Sequence, residues 1–447
     1  MNLAKEYSFS LMVLSLLNAL LLSPVAAHDL MAVYHDAALE DPQLERAKEA
    51  LEAIQESQVQ ANAALYLPEA QFGANVNGDS QSVQLSGDST GASGRSKFMA
   101  GAYVLSLTQP LLHYDRIIGV EQSDSRVAQA EAEYAAAEIA LLLRVAERYF
   151  DVLAAQENLD FSNTQQESLA RGLQETRQYQ VAGFLALTDV KEAQAGYDRS
   201  VADAIEAKHQ YRDALEGLQE VTGSHYDKLA NLRETLALVE PDPVIEEAWI
   251  QQALTQNFGL LANERAVQTA KQEIQRQQAG HLPTLDAVGN HSFSTSGGRF
   301  GSADIQDTTL GLSFNMPLYQ GGRVNSRSRE AEHHYREALA RLKQEQRAVH
   351  RATSKAFLGV TAGISRVKAL EQAVHSTEIA VAATTAGFKV GRRTALDIIV
   401  AEREQLRAQR DYARARYDYL LNTLRLKQTV GTLSPDDLAQ VNLWLVP

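Results

Sequence analysis

The sequence predicts a mainly α-helical fold with a small β part, in which one large structural unit occurs twice. Three observations carry this. First, the second half repeats the first at a nearly fixed distance. Leu67-Pro68 returns as Leu282-Pro283 and Gln109-Pro110 as Met316-Pro317; Gly183, Asp189 and Gly223 return as Gly391, Asp397 and Gly431, each 208 residues on. Solenoid units are only about 20–50 residues long, so this period describes a duplicated unit. Second, no proline lies between Pro110 and Pro241 or between Pro317 and Pro435. Both tracts are rich in Ala, Leu, Glu, Gln and Arg and are helical on propensity. Third, short alternating segments sit between the paired prolines. In Thr309–Met316, Leu310, Leu312, Phe314 and Met316 fall on one side and Gly311, Ser313 and Asn315 on the other. That period of two belongs to a strand.

Taken in order, Lys5 precedes an apolar run from Ser8 to Leu22 and a small-residue site at Val25-Ala26-Ala27. This predicts a secretory signal peptide over 1–27, with a retained anchor as the alternative. No cysteine follows the site, which excludes an N-terminal lipid anchor, and the whole chain has none. Disulfides, thiolate zinc sites and cysteine nucleophiles are excluded with it. The net charge of −14 argues against a nucleic-acid partner. No apolar stretch of about 18 residues follows the signal, so any membrane crossing must be made by strands.

The first repeat spans 28–223. Residues 29–66 give a short helix, a break at Asp41-Pro42 and a second helix, with a counterpart over 244–280. Phe72–Asn77 pairs with Tyr103–Thr108, and Leu285–Phe293 with the strand at 309–316, through Ser/Gly/Asp-rich loops at 78–97 and about 294–307. The span from Pro68 to Pro110 is 42 residues and from Pro283 to Pro317 only 34, so length varies in the loops and not in the packed elements that follow. A very long helix then covers 115–181, roughly 100 Å at about 1.5 Å per residue. Its counterpart covers 323–388. Val127–Ala140 is Ala-rich and allows close helix approach, while Leu141, Leu142, Leu143, Val145, Tyr149, Phe150, Val152 and Leu153 cover more than one face. This helix is expected to pack on at least two sides. Gly183 and Gly391 suit the left-handed position that ends a helix and mark the tips of two helical hairpins. Asp189-x-x-Glu192 and Thr394-x-x-Asp397 fit capping boxes for the next helices. Residues 224–243 form an accessory insert, the second repeat spans 244–431, and 432–447 is a tail.

Four strands per chain cannot close a barrel, and lipid-exposed edges are not tolerated. Small closed barrels have at least about eight strands. Either these are soluble half-buried hairpins, as in a periplasmic coiled-coil spacer or adaptor, or several copies build one barrel.

The segments Asp29-Leu30, Val33-Tyr34, Ala37-Ala38-Leu39 and Asp41-Pro42 come first. Leu107–Leu111, Leu143–Ala146, Tyr149–Gln156, Leu187–Val190 and Glu192–Ala195 follow, then Gly280–Leu285, Met316–Arg323 and Ala415–Tyr419 before Gly431–Leu433. In this order and at these spacings the chain resembles the TolC family of outer-membrane channel-tunnels (outer membrane efflux proteins), especially the type I secretion branch. The resemblance covers essentially the whole mature chain. It implies a homotrimer in the outer membrane of a Gram-negative bacterium, with a 12-strand β-barrel in lipid and a 12-helix α-barrel through the periplasm. It implies docking on a periplasmic adaptor and an inner-membrane transporter, ABC or proton-driven, and passive export without a cofactor or a reaction.

The resemblance also places a periplasmic gate at the hairpin tips. The family's gate arginine falls on Arg393, with partners at Thr188 and Asp189, and its aspartate ring falls on Asp397. Arginine can bind a carboxylate and a hydroxyl together; the same Thr and Asp residues also suit helix caps, and both roles can hold. Two positions depart from the family. Phe388 stands where a gate tyrosine would donate a hydrogen bond, and Val400 replaces a second ring aspartate. Three facing carboxylates are expected to raise one another's pKa and to attract cations; the alternative for Asp397 is a helix-terminus residue favoured by the dipole. His333, His334 and Glu337 share a helix but are expected to be solvated, with no metal. No P-loop, Gly-rich dinucleotide motif or Ser nucleophile motif occurs, so an enzyme is not expected.

Overall fold

The computed structural model describes residues 27–84, 94–233, 235–298, 301–390 and 392–446. Residues 1–26, nearly the whole of the predicted signal peptide, lie outside the described residues, as does Gly391. The chain divides into two compact units that cut across the repeat.

One unit comprises Lys48–Glu133 and Gly259–Glu345 and contains the main sheet. Strands β1 (Glu69–Val83), β2 (Gly94–Leu112), β4 (Thr284–Ser296) and β5 (Ala303–Asn315) form one antiparallel sheet in the order β1-β2-β4-β5. They are longer than the alternation predicted and take in most of the Ser/Gly/Asp-rich segments. Ladder pairing with a neighbour overrides weak local β-propensity there. Pro110 falls inside β2, next to a bulge where the register to β4 shifts, one of the few places a sheet admits proline.

The register explains the alternation. Phe72 stands opposite Leu105, Tyr103 opposite Phe293, and Leu310 opposite Gly289, so one face gathers the apolar side chains. The other carries Gln71, Asn75, Ser106, Asn290, Thr309 and Ser313. The apolar face is uncovered: Phe72 is 70% exposed, Val76 73% and Leu310 84%. Among the described residues no helix is long and apolar enough to cross a membrane.

The other unit holds the described residues up to Ala47, Tyr134–Phe258 and Gln346 onward. Helices α1 (Leu30–Glu40) and α2 (Pro42–Tyr66) meet at Asp41, and α5 (Glu246–Gln256) and α6 (Phe258–Gln278) repeat them. The hairpins are α3 (Tyr114–Val181) with α4 (Leu187–Thr222), and α7 (Arg323–Lys389) with α8 (Ala395–Val430). Of these helices, most of α2 and α6 and the sheet-side ends of α3 and α7 belong to the first unit. Helices α4 and α8 share a 208-residue offset at both ends. Leu141, Val145, Tyr149, Phe150, Val152 and Leu153 are all buried, as expected for a helix packed on more than one side. Phe150 stacks on Tyr417 of α8 at 5.5 Å between ring centres, and the Tyr149 hydroxyl donates to the Ala230 carbonyl at 2.8 Å.

The insert and the tail meet through a strand pair, β3 (Asn231–Leu232) with β6 (Leu445–Val446), beside α9 (Pro435–Asn442). These two-residue strands form a small sheet in addition to the four expected strands; they are too short to show a periodicity. Arg416 donates to the Arg233 carbonyl at 2.8 Å and Lys427 pairs with Asp437 at 2.5 Å, so both segments are tied to α8.

Candidate functional site at the hairpin tips

The first hairpin tip is built by a backbone device that its glycine predicts. After α3, Gly183 adopts φ +79°, the left-handed conformation. The Phe184 N–H donates to the Tyr179 carbonyl at 2.9 Å and the Gly183 N–H to Gln180 at 3.0 Å. This pair of bonds is a Schellman cap. In the second hairpin the Arg392 N–H donates to the Gly387 carbonyl at 2.9 Å, the same closure 208 residues later. Gly391, at the corresponding turn position, lies outside the described residues.

The next helices start with acidic caps, in two versions. At α8, the Asp397 carboxylate accepts from the Thr394 N–H at 2.8 Å and the Thr394 hydroxyl accepts from the Asp397 N–H at 3.2 Å. This is the predicted capping box. At α4 the expected Asp189-x-x-Glu192 box does not form. The helix begins three residues earlier, with Ala186 as the capping position and Asp189 where Glu192 was expected. Its carboxylate accepts from the Ala186 N–H at 2.8 Å. An alanine offers no return acceptor, so only half of the box exists.

These caps set the electrostatics. The backbone N–H and then the hydroxyl of Thr394, with the nearby Arg393 charge, hold the Asp397 carboxyl below its ordinary value. A carboxylate that accepts such bonds favours its ionised form. Arg393 is exposed, and its stem lies over its own hairpin: a methyl group at Gly387 would sit 2.9 Å from the Arg393 Cγ. Thr188 is exposed, and Asp189 and Phe388 are half-buried. Within one chain no described hydrogen bond joins Arg393 to Thr188 or Asp189.

Other residues do join the two hairpins. The Ser168 hydroxyl of α3 donates to Glu402 of α8. Ile399 reaches over Gly172, where an added methyl group would meet its Cδ1 at 2.5 Å. Further along, the Tyr417 hydroxyl donates to Glu157 at 2.6 Å and Arg425 donates to Glu147 at 2.7 Å. Sequence reasoning missed this seam. Its one local signal is Gly172, an isolated glycine inside a helix of good helix formers. A cavity of about 650 Å³ lies between α3, α4 and α8, bordered by Asp189, Thr394 and Val400 together with Leu169, Arg199 and Glu402. It brings the starts of α4 and α8 to one space. Thr188, Phe388, Arg393 and Asp397 stand outside its lining. On α7, Glu337 accepts from Arg341 at 2.6 Å and lies 3.3 Å from His334.

Residues 33–224 and 249–432 match the family described as outer membrane efflux protein. The chain is 33% identical over 429 residues to the outer membrane protein TolC of Vibrio cholerae serotype O1, covering 95% of each chain. It is 30% identical over 345 residues to the protease secretion protein PrtF of Dickeya chrysanthemi, covering 76% of this chain and 74% of that one. Its fold is similar to that of the Campylobacter jejuni CmeC outer membrane channel, with a TM-score of 0.78 at 16% identity over 92% and 89% of the two chains. Built from a duplicated helical hairpin and a sheet with an uncovered apolar face, the chain belongs to the outer membrane efflux protein family and is a channel protein of the Gram-negative outer membrane.

Proposed function

We propose that three copies of this chain close a twelve-stranded barrel in lipid and continue it as a twelve-helix tunnel, the passive exit duct of a tripartite export system. The observation that carries this reading is the sheet. Its apolar face is exposed, and its edge strands β1 and β5 have no described partner beyond β2 and β4. Free edges are not tolerated in hydrocarbon. Three copies give an even-numbered, closed barrel of ordinary size. A soluble spacer has no use for such a face.

Family membership supports a periplasmic adaptor and an inner-membrane transporter, ABC or proton-driven, as partners. The Dickeya chrysanthemi relative, named for protease secretion, favours a secreted protein as cargo; the efflux family as a whole favours small toxic compounds. The hairpin tips form the gate. Arg393 of one chain reaches Thr188 and Asp189 of the next, and Asp397 forms a single carboxylate ring with apolar Val400 one turn further in. Reconstitution in planar bilayers tests the reading. Discrete, cation-selective channels are expected; a protein that stays soluble without detergent and never conducts contradicts it.

A further inference from the structure

The arginines of α8 are placed in a way that gating does not use. Residues 403–416 hold five arginines against two acids, in a chain whose net charge is −14. Arg403, Arg407 and Arg410 recur at the spacing of one helix face. They line a second cavity of about 250 Å³ and face Asn158, Ser162 and Gln165 of α3 across it. Glu404 and Asp411 are the acids beside them, and their pairings are long: 3.6 Å for Arg403–Glu404, 3.3 Å for Arg410–Asp411 and 4.0 Å for Arg407–Asp411. The three arginine side chains are 57, 65 and 47% exposed. Exposed ion pairs of this kind hold weakly, so a ligand with several negative charges can displace them.

We infer that this groove between α3 and α8 binds compounds carrying two or more clustered phosphate or carboxylate groups. Guanidinium groups bind both anions with paired hydrogen bonds. The side-chain amides of Asn158 and Gln165 on α3 add donors to the remaining oxygens, while the Ser162 hydroxyl donates to the Asn158 carbonyl at 2.7 Å. Three arginines on one face match an anion with three charges better than one with a single charge. Gln165, Arg403 and Leu406 line both cavities, and Val400 lines the first. The groove therefore continues toward the face that carries Val400. That face opens on the lumen in the tunnel proposed above, and this part of the inference rests on that reading. A cationic wall above an acidic ring would give anionic groups on a cargo a holding point before the exit.

Calorimetry on the purified detergent-solubilised protein, with tripolyphosphate and with citrate as probes, tests the site. Replacing Arg403, Arg407 and Arg410 together by Gln should weaken binding at least about tenfold. Arg341→Gln, on another helix, should leave it unchanged, and the triple Lys variant should keep part of it. Binding of only one probe assigns the groove to that anion. Absence of binding, or equal binding by the triple Gln variant, overturns the site. In bilayers, tripolyphosphate should reduce the current of the wild type and not of the triple Gln variant. Binding without block overturns the lumenal placement alone. Failure to form any channel counts against the tunnel reading, and calorimetry still decides the site.

Discussion

Asp397 carries two demands at once. As a cap it accepts from the Thr394 N–H at 2.8 Å, which lowers its pKa; as one of three in a ring it would be raised by repulsion. The cap bonds act below 3 Å, while ring partners would stand across a lumen in the proposed trimer, so the cap is expected to dominate. Within one chain these bonds oppose the rise that repulsion in a ring is expected to bring. Ionisation, and with it block by a trivalent cation from the periplasmic side, should persist on acidification down to about pH 4. Asp397→Asn retains an acceptor for Thr394 and removes the charge, so single-channel recording should show the block lost with the fold kept. A block unchanged in Asp397→Asn makes Asp397 a cap only. Arg393→Ser should raise conductance, and an unaltered conductance removes it from the gate. Glu157 shows the opposite shift. Burial raises its carboxyl above the ordinary 4.5, against the Tyr417 hydroxyl and the Arg416 charge, which lower it. The folded chain then holds that proton more tightly than the unfolded chain, so stability falls as pH rises from the ordinary value through the raised one. Glu157→Gln keeps an acceptor for Tyr417 and should raise the melting temperature at neutral pH by roughly 1–3 °C. The gain should vanish below about pH 4, and a gain independent of pH would contradict the assignment.

At the scale of elements, the two halves test each other, because equivalent positions have different neighbours. Gly223 and Gly431 both end helices, at φ +67° and +86°, and alanine at either costs roughly 1–2 kcal/mol in left-handed backbone. A methyl group at Gly431 would also meet the Gln256 carbonyl oxygen at 2.7 Å, whereas at Gly223 the nearest atom is Glu40 Cβ at 3.5 Å. Gly431→Ala should therefore lower the melting temperature clearly more than Gly223→Ala in circular dichroism. Equal losses would mean that backbone conformation alone sets the cost. The same comparison shows what the sequence could reveal. The long helices, the glycine-ended tip at Gly183 and the box at Thr394 were legible, because each depends on contacts within a few residues. The start of α4 was not, because a capping alanine gives no side-chain signal. Nor was the α3–α8 seam, where Ser168 and Glu402 are separated by 234 residues. The strand ends were hidden for a similar reason: Ser80 and Gln81 join β1 through partners on β2, not through their own propensity.

At the scale of the whole molecule, the sheet is unfinished in one chain. Apolar side chains such as Phe72, Leu310 and Phe314 cover one face, and the edges lie at β1 and β5. Lipid on that face and further copies at the edges, as proposed, would satisfy both features together. The hairpin tips would acquire their proposed partners by the same assembly, since within one chain no described hydrogen bond joins Arg393 to Thr188 or Asp189. The polar opposite face, with Asn75, Ser106 and Thr309, would line the water-filled bore. The direct test is the protein mass of the detergent-solubilised particle by light scattering with the detergent contribution subtracted. The expected value is the mass of three mature chains. A monomeric particle, or one stable in buffer without detergent, would contradict it.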